Sequence, residues 1–283
     1  MRKIGIIGLG LIGGSLGLSL KNDNQKIYGY DSNANHNKQA LKLKLVDEII
    51  DIEEMLQVCD IIVVSTPTKV SINIIKGLLD NVKEHQVIID MGSTKSKICA
   101  ALKGHKNRMN FVAAHPIAGT ENSGPEAAIA AIDDLFLNKK LVLCDKDDSD
   151  NNALTSAIEL FTSLNCSIVF MEAKEHDKHL AYISHLSHIC SFALGLTVLN
   201  IEKDEQNIFN LAGSGFSSTA RLAKSSPKMW ESIVMQNKEN LLPAIDSYID
   251  ELTKLKKNIE EGNSADLLNS MQKANEIRKI IKN

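Results

Sequence analysis

The sequence predicts an α/β fold, a doubly wound and mostly parallel sheet, followed by an all-helical region. Three observations carry this. Over residues 1–172 short Ile- and Val-rich runs alternate with stretches of helical periodicity. The runs are apolar on both alternating sets of positions, as strands covered by helices on both faces must be. From Glu172 onward the strand signals stop, so residues 173–283 are expected to be helical.

The expected strands are Lys3–Ile7, Lys26–Tyr30, Ile61–Ser65, Val87–Asp90, Phe111–Ala114, Leu141–Cys144 and Ser167–Met171. Helical periodicity marks Asn33–Lys44, Val70–Val82 and Asn152–Leu164 between them. Glu175–Asn200 then reads as one long, largely apolar helix. Ser226-Pro227 opens another, with serine as N-cap and proline at the first helical position. Pro243 should kink or break that helix, and Gly262 should close it. Asn263 and Ser264 start a terminal helix expected to reach about Lys282.

Composition narrows the function classes. The 283 residues are 43% hydrophobic and 24% charged, with a formal net charge of −3. Acids and bases are interspersed, which is no electrostatic footprint for nucleic acid or a membrane surface, so neither is an expected partner. Five scattered cysteines (59, 99, 144, 166 and 190) form no CxxC pair and fit reduced thiols in a cytoplasmic protein. Met1-Arg2-Lys3 precedes a weakly polar run, but that run is dense in glycine and no small-x-small site follows, so no secretion signal is expected.

Gly8-Leu9-Gly10-Leu11-Ile12-Gly13 directly follows the first strand and opens a helix. In that context the first glycine allows the tight turn, and the second lets backbone amides approach a pyrophosphate. The third permits close helix–sheet packing, and the helix N-terminus offers its partial positive charge. Asp31 ends the second strand eighteen residues past Gly13, where it can bond adenine ribose hydroxyls. It would repel a 2′-phosphate and no arginine follows it, so NAD rather than NADP is expected. Ligands of such sheets sit at the carboxyl ends of the strands. Ser65-Thr66-Pro67, Gly92-Ser93-Thr94-Lys95 and Ala114-His115-Pro116 should therefore rim the nicotinamide.

Three further groups carry chemistry. His115 stands in His115-Pro116-Ile117-Ala118-Gly119-Thr120-Glu121, one residue past an expected strand. Ser184-His185-Leu186-Ser187-His188, preceded by His176-Asp177, lies on the long helix, where positions 185 and 188 share a face. Four histidines on one helix (176, 179, 185, 188) raise a metal reading, but no HExxH or facing cysteine pair supports it, and no metal is expected. Gly213-Ser214-Gly215-Phe216 precedes Arg221, then Pro227, Met229 and Trp230.

Taken in order, GLGLIGGSL, DMGSTK, HPIAGTE, HD with SHLSH, and GSGF with Arg221 and SxPxxW resemble the prephenate dehydrogenase family over essentially the whole chain. The resemblance implies a Rossmann-type NAD-binding domain (residues 1–172) and an all-helical domain (173–283) through which two subunits dimerise. It also implies oxidative decarboxylation of prephenate to 4-hydroxyphenylpyruvate, on the route to tyrosine. In that chemistry hydride leaves the alcohol carbon while a base takes the hydroxyl proton, and aromatisation drives loss of CO2 without a metal. By the resemblance His115 would be the base and Ser93 would orient it and the nicotinamide. His188 and Arg221 would hold substrate carboxylates, a planar guanidinium being suited to bidentate pairing. Thr120 and Glu121 would line or gate the pocket, and His185 matches the motif with a less defined role. Family members often carry a basic residue and Asp after GxGF, where this chain has Ser217 and Ser218. Arogenate is an alternative substrate. A 3-hydroxyacid dehydrogenase is more distant, because that chemistry uses a lysine where this helix offers histidines. A non-catalytic NAD-binding protein is opposed by the intact His115, Ser93 and Arg221 set.

Overall fold

The computed structural model describes residues 1–131, 135–201 and 211–280. Strands β1 (Arg2–Ile7), β2 (Gln25–Tyr30), β3 (Glu48–Ile49), β4 (Ile61–Val64), β5 (Val87–Asp90), β6 (Phe111–Pro116), β7 (Lys140–Cys144) and β8 (Ser167–Met171) form one sheet. Their order is β3-β2-β1-β4-β5-β6-β7-β8, and every neighbouring pair is parallel except β6 and β7. Helices α1 (Leu11–Ser19), α2 (Ala34–Lys42), α3 (Ile52–Val58), α4 (Thr68–Asn81), α5 (Ser96–Leu102), α6 (Pro125–Ala130) and α7 (Asn151–Thr162) alternate with the strands.

The alternation seen in the sequence is what builds two cores. Ile4, Ile6, Ile61, Val63, Val87, Ile89, Val112 and Ala114 point to one face, into a cluster with Leu16, Leu160 and Phe161. Ile7, Ile62, Val64, Ile88, Phe111 and Ala113 point to the other, among residues of α3, α4 and α5. A strand buried on both faces has no polar side, which is why these runs read as continuously apolar.

One expectation is corrected at β6. His115 does not follow the strand but belongs to it, paired with Val142 as Pro116 is with Leu141. Pairing with β5 ends at Asp90↔Ala113, one residue short of the expected end of the strand at Ala114. The antiparallel β7 then carries the ladder to Pro116, two residues past the expected end.

Beyond β8 the described elements are helical. A continuous helical run, Ala173–Ile201, comprises α8 (Ala173–Leu180), a π-helical turn (Ala181–His185) and α9 (Leu186–Ile201). It is long and apolar enough to cross a membrane by length and composition alone, with 11% of its most apolar window buried. After it come α10 (Ser214–Ala220), a 3-10 turn (Arg221–Lys224) and α11 (Pro227–Gln236). Pro227 takes the first helical position as expected, although Ser226 caps it without a side-chain hydrogen bond.

Residues Met1–Asn237 form one compact unit and Lys238–Asn283 a second. In the second, α12 (Lys238–Glu260) and α13 (Ser264–Ala274) pack on each other. Pro243 neither ends nor breaks α12: the interruption falls at Asn237, and Pro243 sits early in the new helix, removing one of the first rungs of its ladder. Gly262, at φ +65°, closes α12, and the Asn263 side chain accepts from the Asp266 amide to cap α13. The α-helix stops at Ala274 and a 3-10 turn reaches Lys279. The expected extension to Lys282 lies outside the described residues.

Candidate active site

The strand order reverses between β1 and β4, and that is where an open α/β sheet leaves a crevice at its carboxyl end. The Gly8–Gly13 turn leaves β1 there and meets the loop after β4. Ser65 donates from its hydroxyl to the Gly8 carbonyl oxygen at 2.7 Å. Thr66 and Ser71 hydroxyls lie 3.0 Å apart, and Pro67 is the N-cap of α4, so the Ser65-Thr66-Pro67 loop is held on both sides. Gly8 has φ +94°, and a Cβ there would crowd the Ser65 backbone. A Cβ on Gly13 would run into the Gly8 carbonyl oxygen and the Ser65 hydroxyl. At Gly10 a Cβ would meet nothing within 4 Å. Two glycines thus shape the turn, while the third leaves space open above the first turn of α1. That turn has no acidic residue and no side-chain cap, so its free amides suit a pyrophosphate.

Leu9, Leu11 and Ile12 complete the turn, Leu9 fully buried in the core. Leu9 also donates its amide to Asp31 at 2.9 Å. The Asp31 carboxylate further accepts from Asn33 N at 2.8 Å and lies 3.2 Å from His36 Nδ1. Asp31 is therefore fixed at the mouth of the crevice by the glycine turn itself, with a histidine beside it that the sequence reading passed over.

On the β5–β6 side the polar groups are buried. Asp90 and His115 lie on the same sheet face as Ile88 and Ala113, two residues on in each strand. Lys95 is fully buried and ion-paired with Asp90. The ring of His115 is not met by Ser93: His176 Nε2 of α8 lies 2.8 Å from His115 Nδ1. Among the described residues Ser93 makes no hydrogen bond with His115, so that expected contact is not the one the structure shows. His176 Nδ1 is in turn 2.8 Å from Asp177 Oδ1, and Asp177 accepts from the backbone amides of Lys95 and Ser96. Burial holds His115 well below the ordinary histidine range, reinforced by His176, Lys95 and His185 nearby. Its imidazole is neutral at neutral pH and available as a base.

The remaining candidates come from the helical run and the turn after α10. His185 is buried and receives Asn237 Nδ2 on its Nδ1 at 3.0 Å. Burial lowers its pKa to about 4, which marks a neutral, packed group. His188 donates from Nδ1 to the Ser184 carbonyl at 3.0 Å and stacks on Trp230, ring centroids 3.4 Å apart. The indole N–H of Trp230 is buried and has no hydrogen-bond partner among the described residues, although the ring is almost wholly enclosed. Arg221 is positioned by Ser191 of α9, whose hydroxyl donates to the Thr219 carbonyl and accepts from the Ala223 amide at 3.0 Å each. Arg221 Nη1 reaches Glu121 Oε2 at 2.8 Å. Thr120 is exposed beside it and accepts from Asn122 N.

The structure thus joins Arg221 to Glu121, and His115 to a buried chain that sequence reasoning did not assign to the site. Two family models match along the chain: "Prephenate dehydrogenase, nucleotide-binding domain" over residues 16–170, and "Prephenate dehydrogenase, dimerization domain" over 172–273. The chain belongs to the prephenate dehydrogenase family. Among relatives, prephenate dehydrogenase of Bacillus subtilis is 31% identical, over 96% of this chain and 74% of that one. Cyclohexadienyl dehydrogenase of Zymomonas mobilis is 28% identical over 99% of this chain and 96% of that one. Among solved structures, prephenate dehydrogenase from Aquifex aeolicus, in complex with hydroxyphenyl propionate and NAD+, superposes with a TM-score of 0.89. It is 31% identical, and the match covers 100% of this chain and 99% of that one.

Proposed function

We infer that this chain catalyses the NAD-dependent oxidative decarboxylation of prephenate to 4-hydroxyphenylpyruvate. The observation that carries the reading is His115, a buried imidazole kept neutral at the end of a strand whose carboxyl end lies on the same sheet edge as the glycine turn. The family match and the Aquifex aeolicus complex point the same way. The Gly8–Gly13 turn, Asp31 and the Ser65-Thr66-Pro67 loop hold NAD, and its open space at Gly10 suits the pyrophosphate. When bound, NAD supplies the hydride acceptor. His115 takes the proton of the ring hydroxyl. Ser93, on the loop after β5, lies on the nicotinamide rim.

Arg221 and His188 are the carboxylate anchors. In the structure Arg221 is paired with Glu121, so a substrate carboxylate displaces Glu121 or shares the guanidinium with it. His188 already uses its Nδ1 hydrogen on the Ser184 carbonyl. It can donate to a carboxylate only through Nε2, which requires the imidazolium form; burial and the Arg221 charge hold its pKa below the ordinary histidine range, so that form depends on the arriving carboxylate. The unpartnered Trp230 N–H offers a further donor for substrate oxygen. Thr120 and Glu121 line the entrance.

Residues 1–172 form the nucleotide-binding domain and residues 173–283 the helical one, through which two chains pair as a homodimer. The run Ala173–Ile201 exposes Ile183, Leu196, Leu199 and Ile201, each more than half accessible. A family model described as a dimerization domain over 172–273 favours a second subunit over lipid as their cover. Light scattering should give twice the chain mass. Four of the five free cysteines are buried, in keeping with a reducing cytoplasm. Arogenate is the second reading, favoured by the cyclohexadienyl dehydrogenase relative. The test is NADH formation with prephenate and arogenate in competition. Prephenate should be consumed faster with release of 4-hydroxyphenylpyruvate, and faster use of arogenate would overturn the substrate assignment.

A further inference from the structure

We propose that His176 and Asp177 are positioning residues that fix the hydrogen of His115 on Nδ1, leaving Nε2 as the lone pair that receives the substrate proton. The proposal rests on the reading of His115 as the base, and it follows from counting hydrogens along one buried chain.

The count starts at Asp177. Its carboxylate is almost fully buried, and 2.8 Å contacts bring it the Lys95 amide, the Ser96 amide and His176 Nδ1. Burial alone would push this carboxyl up, but the hydrogen bonds from His176, Lys95 and Ser96 hold it below the ordinary range. A carboxylate has no hydrogen to give, so His176 Nδ1 carries one. His176 is itself fully enclosed, and burial keeps it neutral despite the neighbouring Asp177. A neutral imidazole holds a single hydrogen, so His176 Nε2 is an acceptor. The atom 2.8 Å from it, His115 Nδ1, must then be the donor. His115 is neutral too, so its Nε2 is bare.

The reverse polarity is disfavoured by the surroundings. It would require an N–H on both nitrogens of His176, a second cation beside the buried Lys95, or a proton on Asp177 facing two amide hydrogens. Asp90 is committed to Lys95, and His185 is neutral. When the hydroxyl O–H breaks and the Nε2–H bond forms, the positive charge on His115 is shared through His176 toward Asp177. The chain is also rigid. His115 lies within a strand ladder, and Asp177 is tied to two backbone amides and receives Asn237 on its carbonyl at 2.7 Å. The arrangement therefore fixes ring orientation as well as tautomer, as an aspartate does for the histidine of a hydrolase triad.

The test combines NMR of the full chain carrying isotope-labelled histidine with steady-state kinetics. Above the histidine titration range, His115 should show a protonated Nδ1 and an unprotonated Nε2. Asp177→Asn, which can present an amide hydrogen to His176, should mix or invert that pattern. His176→Gln keeps an acceptor for His115 and should retain kcat within roughly tenfold. His176→Phe removes the acceptor at similar volume and should lower kcat by roughly 10²–10³-fold, with prephenate KM and NAD affinity changed only a few-fold. A purely structural role predicts parallel losses in melting temperature and activity for Gln and Phe, with the same His115 tautomer throughout. An Nε2-protonated His115 in the unaltered protein, or a Phe variant with normal kcat, would overturn the proposal. Failure of the unaltered protein to oxidise prephenate would instead sink the functional reading while leaving the tautomer measurement standing.

Discussion

The two sides of the candidate site are built from different materials. Around Gly8–Gly13 the groups offered to a ligand are backbone amides, and the side chains that matter are those that are missing. Around His115 they are side chains from β5, β6 and α8, enclosed until their charges and hydrogens are dictated by one another. The first kind of site is specified by six consecutive residues. The second exists only once the sheet has placed Asp90 and His115 on one face and a helix has brought His176 and Asp177 to it. Substitutions should therefore act on binding on one side and on proton transfer on the other.

The largest effect is expected at His115. His115→Asn keeps a polar side chain of similar reach but cannot act as a base, and turnover followed by NADH absorbance should fall roughly 10²–10⁴-fold. Calorimetric NAD affinity should stay close to that of the unaltered protein. Gly13→Ala tests the other side. Its methyl group would collide with the Gly8 carbonyl and the Ser65 hydroxyl, and such overpacking costs roughly 1–3 kcal/mol. NAD binding should weaken at least tenfold by calorimetry, with the pH dependence of any remaining turnover unchanged. If Gly13→Ala shifted the pH profile, or His115→Asn abolished NAD binding, the division would fail.

Arg221→Ala should come next. Removing a charged hydrogen-bond partner costs about 1.5–3 kcal/mol, so prephenate KM should rise roughly tenfold to a hundredfold with NAD affinity unaltered. The position is half exposed, which favours the lower end. Asp31→Ala should have the smallest effect, narrowing the preference for NAD over NADP by a few-fold to tens-fold in kcat/KM. A wider gap would show that Asp31 serves only to hold Leu9, Asn33 and His36.

The same contrast decides what could be read in the sequence. The glycine turn was legible because spacing alone defines it, and β1, β4, β5, β6 and β7 because burial on both faces leaves an apolar run; β2 and β8 are less buried and were marked by composition. Short β3 was not, since two residues carry no periodicity. Helices α3, α5 and α6 also went unmarked, each of seven residues or fewer. His115 was placed just past its strand because an antiparallel partner lengthening β6 leaves no local mark. His176-Asp177 stood out as a pair, but its contact with His115 spans 61 residues. The expected orienting partner, Ser93, was nearer in sequence and has no such contact. Pro243 misled because its preference was weighed without knowing that a new helix had begun at Lys238.

The most direct test is the pH dependence of kcat/KM for prephenate. Groups facing His115 are His176, Lys95 and His185, and burial together with them lowers its pKa. A base with a lowered pKa stays competent as pH falls through the ordinary histidine range and is lost only on protonation below it. The acid limb should therefore lie below that of a free imidazole, near 6.5, and the residual activity of His115→Asn should lack it. An acid limb at or above the free-imidazole value, or one that persists unchanged in a folded His115→Asn protein, would place the base elsewhere and contradict the account.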